Sequence, residues 1–288
     1  MSIGDAEIKT QERVIRFFKD PEILGYQYIG NLSDNQNKNI KEDRLRQYLR
    51  LKGYADKLID AAVMQFQQEA GNLSRGGYDA NKTVYSRLKY GIPVSESPEK
   101  PPVTVELIDE ANPLNNDFAI AEEVTVVEQQ EKRPDLVVYL NGIAVAVIEL
   151  KRSSISVSEG IRQNLTNQKD SFIRGFFTTM QFCMAGNESE GLRYGTLLTG
   201  EKFYMEWKDD GFKEHEEERD PVDIRISETC AEIENKLLKQ IYAMFDKERF
   251  IDLIMNFVVF DKGIKKVCRY NQYFGIKRTQ QRLTNLRT

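Results

Sequence analysis

The 288-residue chain has one histidine, three cysteines and one tryptophan. The histidine, His215, sits inside the acidic run KEHEEERD, so the chain has almost no material for histidine-ligated zinc or serine–histidine chemistry. Cys183, Cys230 and Cys268 are far apart and share no metal-ligand spacing; they read as free, buried thiols of a reducing cytoplasm. No apolar run approaches the roughly 18 residues of a membrane span, and MSIGDAEIKTQERV lacks the apolar core of a signal peptide. The expected location is therefore cytoplasmic, with no membrane partner.

Positive charge is not in excess. Lys and Arg number 41 against 45 Asp and Glu, a net charge of −4, which argues against a generally basic nucleic-acid binder but leaves room for a local basic surface. No Gly-x-x-x-x-Gly-Lys-Ser/Thr pattern occurs, so ATP hydrolysis by a P-loop is excluded for these residues. Nor is there a base-reading module such as a zinc finger or recognition helix; sequence recognition is assigned to a partner. With 40% apolar and 30% charged residues, the composition is that of an ordinary globular protein with material for a core.

What is present centres on RPDLVVYLNGIAVAVIELK, Arg133 to Lys151. Asn141-Gly142 between β-branched runs predicts a hairpin of Leu136–Leu140 and Ile143–Leu150, and the nearly all-apolar runs predict that both faces are covered. At the ends opposite the turn stand Asp135, Glu149 and Lys151, three charges where a buried sheet should have none. A strict two-residue loop would put Asp135 across from Ile148, on the other face; a three-residue loop or a bulge puts it across from Glu149 and is expected here. Glu149 and Lys151, two apart, share a face in either case.

Two carboxylates beside an ammonium make a hard-cation site suited to Mg²⁺, completed by waters and phosphate oxygens. The ion would polarise a phosphoryl group and lower the pKa of a bound water, which Lys151 could orient or deprotonate. The reaction implied is metal-dependent phosphodiester hydrolysis. Downstream, a helix from Ser158 to about Ser171, capped by Ser158, places Gln163 and Asn167 on one face. An amide there can bond a phosphate or a metal-bound water, and Arg152, Arg162 and Lys169 are candidates for DNA-phosphate contacts.

Elsewhere the pattern predicts helices over Ala6–Lys19, with Thr10 and Arg13 on the wet side, over Lys41–Leu51 and Asp56–Gly71, and around Asn81–Leu88. Strands are expected at Tyr26–Ile29, Val103–Ile108, Phe118–Val127 and Met180–Ala185, with the second and third joining the hairpin in one mixed sheet. Asp109, Asn112, Asn115 and Asn116 read as ordinary turn formers, and Asp117 as a weak functional candidate beside them. Tyr194–Leu198 and Lys202–Trp207 read as paired strands, Lys208–Asp220 as a solvated acidic loop, Glu228–Phe245 as one amphipathic helix and Arg249–Phe257 as another. Lys262 to Thr288 has eight Lys and Arg and no acid, and reads as a solvated tail or a surface for DNA or a neighbouring domain.

RPDLVVYLNGIAVAVIELK resembles the PD-(D/E)xK nuclease core of the restriction, or motor, subunit of type I restriction-modification enzymes. The likeness extends to LKYGIPV and VELIDEANPLNNDFAI upstream and to NFVVFDKG and RYNQYFGIK downstream. It implies an α/β, restriction-endonuclease-like fold, a central mixed β-sheet flanked by helices. It implies Mg²⁺-dependent (or Mn²⁺-dependent) endonucleolytic cleavage of double-stranded DNA. Asp135 and Glu149, with the Leu150 carbonyl, would bind the metal, and Lys151 and Gln163 would complete the catalytic set. Where that family has a tyrosine four residues after the glutamine, this chain has Asn167. The family also carries a glutamate on its N-terminal helix, for which Glu12 is the candidate, and a glutamine that contacts adenine near the motor, for which Gln272 is a weaker one.

On this likeness residues 1–260 form the nuclease domain with helical additions at both ends, and 261–288 form a basic linker toward an absent ATP-dependent motor. ATP would act only through that motor, and the partners would be double-stranded DNA and the modification and specificity subunits. The alternatives are a stand-alone PD-(D/E)xK nuclease and a non-cutting DNA-binding or assembly scaffold.

Overall fold

The computed structural model describes residues 3–97, 99–209 and 220–286. A six-stranded mixed sheet runs in the order β1 (Gln27–Asn31), β4 (Phe118–Glu122), β7 (Leu136–Leu140), β8 (Ile143–Leu150), β9 (Phe182–Asn187), β10 (Gly191–Gly195). The pairs β1/β4 and β8/β9 are parallel and the other three antiparallel. This is the α/β class with a central mixed sheet that the sequence predicts. β7 and β8 are buried at every position, as their unbroken apolar runs require.

One face of the sheet carries the larger core. It packs against α1 (Ile3–Lys19), α2 (Glu42–Leu51) and α3 (Asp56–Gly71), and against α7 (Lys236–Phe245), α8 (Lys247–Asn256) and α9 (Tyr270–Asn285). The other face packs under α5 (Val157–Asn167) and a 3₁₀ segment, Arg174–Thr179, which in turn meets α4 (Gly77–Tyr90). Burial on α1 follows its apolar stripe of Val14, Ile15, Phe17 and Phe18, but Thr10, expected on the wet side, is only 4% exposed.

Several boundaries differ from the sequence reading, each for a local reason. α5 begins one residue early, because the Ser156 hydroxyl, not that of Ser158, accepts the capping bond from the Ser158 N–H. The stretch Glu228–Phe245 is two helices, α6 (Pro221–Glu232) and α7, since the Asn235 side chain caps α7 through the Leu238 N–H. Val103–Ile108 does not join the central sheet. Both edges of β4 are taken, by β1 and β7, and β3 (Val103–Val105) pairs instead with β2 (Ile92–Val94). Phe118–Val127 is likewise interrupted: Glu123 takes φ +50, and β5 (Val126–Val127) turns away to pair with β6 (Glu131–Lys132).

Tyr194–Leu198 does not pair as a strand with Lys202–Trp207. Leu198 adopts φ +59, Glu201–Phe203 is a 3₁₀ turn, and a single bridge joins Tyr194 to Met205. Of the acidic run Lys208–Asp220, residues 210–219 with His215 lie outside the described residues. The basic C-terminal stretch carries regular structure. β11 (Val258–Asp261) pairs with β12 (Ile264–Val267), and α9 buries Tyr273 and Phe274. Its dock is Arg249, fully buried, which bonds Asp223 at 2.8 Å and also Asp209, with its guanidinium 5.3 to 5.6 Å from the rings of Trp207, Tyr273 and Phe274. No helix among the described residues is long and apolar enough to cross a membrane.

Candidate active site

The site is made by the β7–β8 hairpin. Asn141 and Gly142 both take positive φ, 53° and 79°, as a two-residue turn of the primed type demands, and Leu140 pairs with Ile143. The loop is thus two residues, not three. The other expected device is present: Tyr139 pairs with Ala144 but Val138 with Ala146, leaving Val145 as a bulge. Beyond it Leu136 pairs with Ile148, which sets Asp135 across from Glu149. A side chain at Gly142 is excluded as well, because its Cβ would stand 2.6 Å from the Lys41 carbonyl oxygen.

Glu149 is fully buried, and neither of its carboxylate oxygens has a hydrogen-bond partner. Burial raises its pKa well above the usual carboxylate range, and the charge of Asp135 adds to the rise. Asp135 accepts a 2.6 Å bond from the Leu150 N–H, yet burial still lifts its pKa to about 6 against the partial relief from Lys151. The Lys151 ammonium lies 3.9 Å from Asp135 Oδ2 and 2.9 Å from the Leu150 carbonyl oxygen. Burial alone would lower its pKa, but Asp135, Glu149 and Glu7 together hold it above the ordinary lysine value. In the ion-free site Lys151 is therefore a cation and a donor.

Helix α1 reaches the site with Glu7, whose carboxylate lies 3.3 Å from Lys151 Nζ; Glu12 stays exposed. Glu123, next to the end of β4, also bears on Asp135 and Glu149 and accepts from the Gln11 amide at 3.2 Å. Neither was singled out from the sequence, and no local pattern marks them, since their partners lie more than ten residues away along the chain. Tyr204 packs against Val157, Ile161 and Ala185, the last being the β9 partner of Glu149, with its hydroxyl buried and unpartnered.

Helix α5 lies directly on this floor because residue 160 is glycine: a Cβ there would meet Ala185 Cβ at 2.9 Å and Glu149 Cβ at 3.4 Å. Its outer turns, with Glu159, Arg162, Gln163, Thr166 and Asn167, line a cleft together with Lys151, Lys132 and Arg133. Gln163 is half-buried and Asn167 buried. Arg162 is engaged by Glu159 and Glu201 at 2.8 and 2.9 Å, whereas Arg152 and Lys169 do not line the cleft. Gln272 lies on α9, where its side chain accepts from the Arg269 N–H as a helix cap. Asp117 is held by Arg44 at the turn end of the sheet, away from the charged ends.

Among the described residues no three acidic, histidine or cysteine side chains gather as a metal cluster. The donor set nevertheless fits a hard divalent ion that keeps most of its waters: two adjacent carboxylates, one with both oxygens unsatisfied, and a neighbouring carbonyl. Burial disfavours the charged form of Glu149, and a bound cation would offset that penalty and hold the group as a carboxylate.

Comparison with known proteins bears on the same region. The chain is 27% identical over 219 residues to the putative type I restriction enzyme MjaIXP endonuclease subunit of Methanocaldococcus jannaschii, covering 70% of this chain and 20% of that protein. It is 25% identical over 210 residues to the type I restriction enzyme HindI endonuclease subunit of Haemophilus influenzae, covering 68% of this chain and 18% of that protein. The chain thus spans about a fifth of the length of the curated relatives it matches. A family model, that of the type I restriction enzyme R protein N terminus, matches residues 7–203, a span that holds the hairpin, Glu7 and the residues lining the cleft. The chain belongs to the type I restriction enzyme R protein N-terminal family.

Proposed function

We propose that this chain is a Mg²⁺-dependent endonuclease domain that hydrolyses phosphodiester bonds of double-stranded DNA within a type I restriction enzyme. The observation that carries the reading is the convergence of Asp135, Glu149 and Lys151 at one strand end, with Glu149 buried and unsatisfied. Asp135 and Glu149, aided by the Leu150 carbonyl, would hold Mg²⁺ or Mn²⁺. The ion supplies a Lewis acid for a phosphoryl oxygen and a bound water of lowered pKa. Lys151, kept charged by its acidic neighbours, donates to the phosphate oxygens as negative charge builds there. Gln163 lines the same cleft as Lys151, and its amide could orient the phosphate or the water. In this reading sequence recognition and modification belong to partner subunits and ATP acts through a motor elsewhere in the enzyme; the residues of this chain carry no P-loop pattern of their own. The cytoplasm is the compartment in which such an enzyme meets DNA.

Divalent-ion binding by calorimetry tests the reading. The parent chain is expected to bind Mg²⁺ or Mn²⁺, Asp135→Ala to abolish binding, and Lys151→Ala to keep most of it while losing cleavage. Equal behaviour of all three would mean that the charges form only an ion-pair network, and that the domain is a non-cutting scaffold.

A further inference from the structure

Among the described residues, every cation of the cleft except two has a committed role. Lys151 belongs to the catalytic group, and Arg162 is clamped by two carboxylates. The remaining two, Lys132 and Arg133, come from the end of β6 and the link to Asp135 and line the same cleft as the α5 residues. We infer that Lys132 and Arg133 form a binding site for DNA backbone phosphates flanking the scissile one, an inference that rests on the DNA-cleaving reading above.

Three features support it. First, both side chains are held in place by uncharged groups. Lys132 Nζ lies 4.8 Å from the centre of the Phe172 ring, and Arg133 Nε donates to the Thr125 hydroxyl at 3.1 Å. A pre-positioned cation loses less side-chain entropy on binding an anion. Second, the carboxylate paired with Arg133 among the described residues, that of Glu131, is 3.9 Å away, with the two side chains 46% and 60% exposed. Such a pair is weak and yields readily to a phosphate, whereas an anion approaching Arg162 would first have to displace Glu159 and Glu201. Third, only Pro134 separates Arg133 from Asp135, so the distance between their Cα atoms cannot exceed about 7.6 Å. A backbone held at Arg133 therefore passes beside the carboxylates. A guanidinium also matches phosphate geometry bidentately, and such contacts set register along the duplex without reading its sequence.

The test is duplex binding by the full 288-residue chain in EDTA, followed by fluorescence anisotropy across a salt series on two duplexes of unrelated sequence. Lys132→Gln/Arg133→Gln is compared with Lys57→Gln/Lys82→Gln, a charge-matched pair at exposed positions outside the cleft. The cleft pair is expected to weaken binding of both duplexes by about tenfold at 0.1 M salt and to flatten the log K against log salt slope by about 1 to 2. The control pair should leave the slope unchanged, and melting temperatures should not move. Equal affinity and slope for parent and cleft variant would overturn the inference, as would an equal loss in the control pair or no measurable duplex binding by the parent. Ion calorimetry on the same samples separates the two readings. Loss of DNA binding with no Mg²⁺ binding by the parent leaves Lys132 and Arg133 as a duplex-phosphate site but removes the nuclease and, with it, their place beside a scissile phosphate; Mg²⁺ binding with unaltered DNA affinity removes the phosphate site alone.

Discussion

Asp135 stands across from Glu149 because β8 carries one residue more than β7 between the turn and the strand ends. Val145 is that residue. Before the bulge, Ile143 faces the larger core and Ala144 the α5 side; after it Val147 faces the α5 side, and Val145 and Ala146 both join the larger core. The extra residue flips the phase of the strand, so Glu149 leaves the core that buries Ile148 and Leu150 and shares a face with Asp135 and Val137.

The two carboxyls make the ion-free protein less stable as pH rises. Asp135 titrates at about 6 in the fold against an ordinary 3.8, and Glu149 is also raised. The folded state then binds more protons than the unfolded chain from about pH 4 upward, so stability falls with rising pH through this window. Lys151, raised as well, stays charged throughout it and contributes no slope. In EDTA, Asp135→Asn/Glu149→Gln should exceed the parent in stability by about 1 to 3 kcal/mol at pH 7, with the advantage vanishing below about pH 4. Urea unfolding across pH measures the difference; a constant offset would refute the assignment.

Substitution of two glycines by alanine should act in opposite directions. Gly160→Ala drives a methyl into Ala185 Cβ at 2.9 Å, and overpacking of this kind costs about 1 to 3 kcal/mol, more than helix propensity returns. Gly275→Ala, on α9 with nothing within 4 Å, should stabilise by roughly 0.5 to 1 kcal/mol. Thermal melts of the two variants check the signs. An unchanged or higher melting temperature for Gly160→Ala would mean that α5 does not rest on Glu149 as described.

Arg249→Leu should be among the most destabilising single changes, by about 3 to 5 kcal/mol, because it strands Asp223 and Asp209 in the interior. Loosening should begin at the C-terminal helix, since Tyr273 and Phe274 pack beside the guanidinium. Limited proteolysis would then cut first within α9. A melting temperature close to that of the parent would show that the buried network is dispensable.

Much of the fold was legible where the code is local. Asn141-Gly142 announces its hairpin through backbone conformation alone, and the unbroken runs of β7 and β8 announce burial on both faces. The errors fall where a choice among partners decides. Whether Val103–Val105 joins the main sheet depends on β1 having already taken the free edge of β4, and nothing within the segment records that.

The candidate site divides in the same way. Sequence by itself determined that Glu149 and Lys151 share a face, since side chains two apart on a strand always do, and that Asp135 lies at a comparable depth on the paired strand. It could state the alternatives for register, but only packing chose the bulge at Val145 over a longer loop. Tertiary structure alone brought Glu7 rather than Glu12 to Lys151, laid Gly160 on Glu149 and gathered Lys132 and Arg133 into one cleft with Arg162 and Gln163. These contacts join residues far apart in the chain, and their energies depend on how the layers stack. Dihedral preference and side-chain period act over a few residues and cannot encode that stacking position by position.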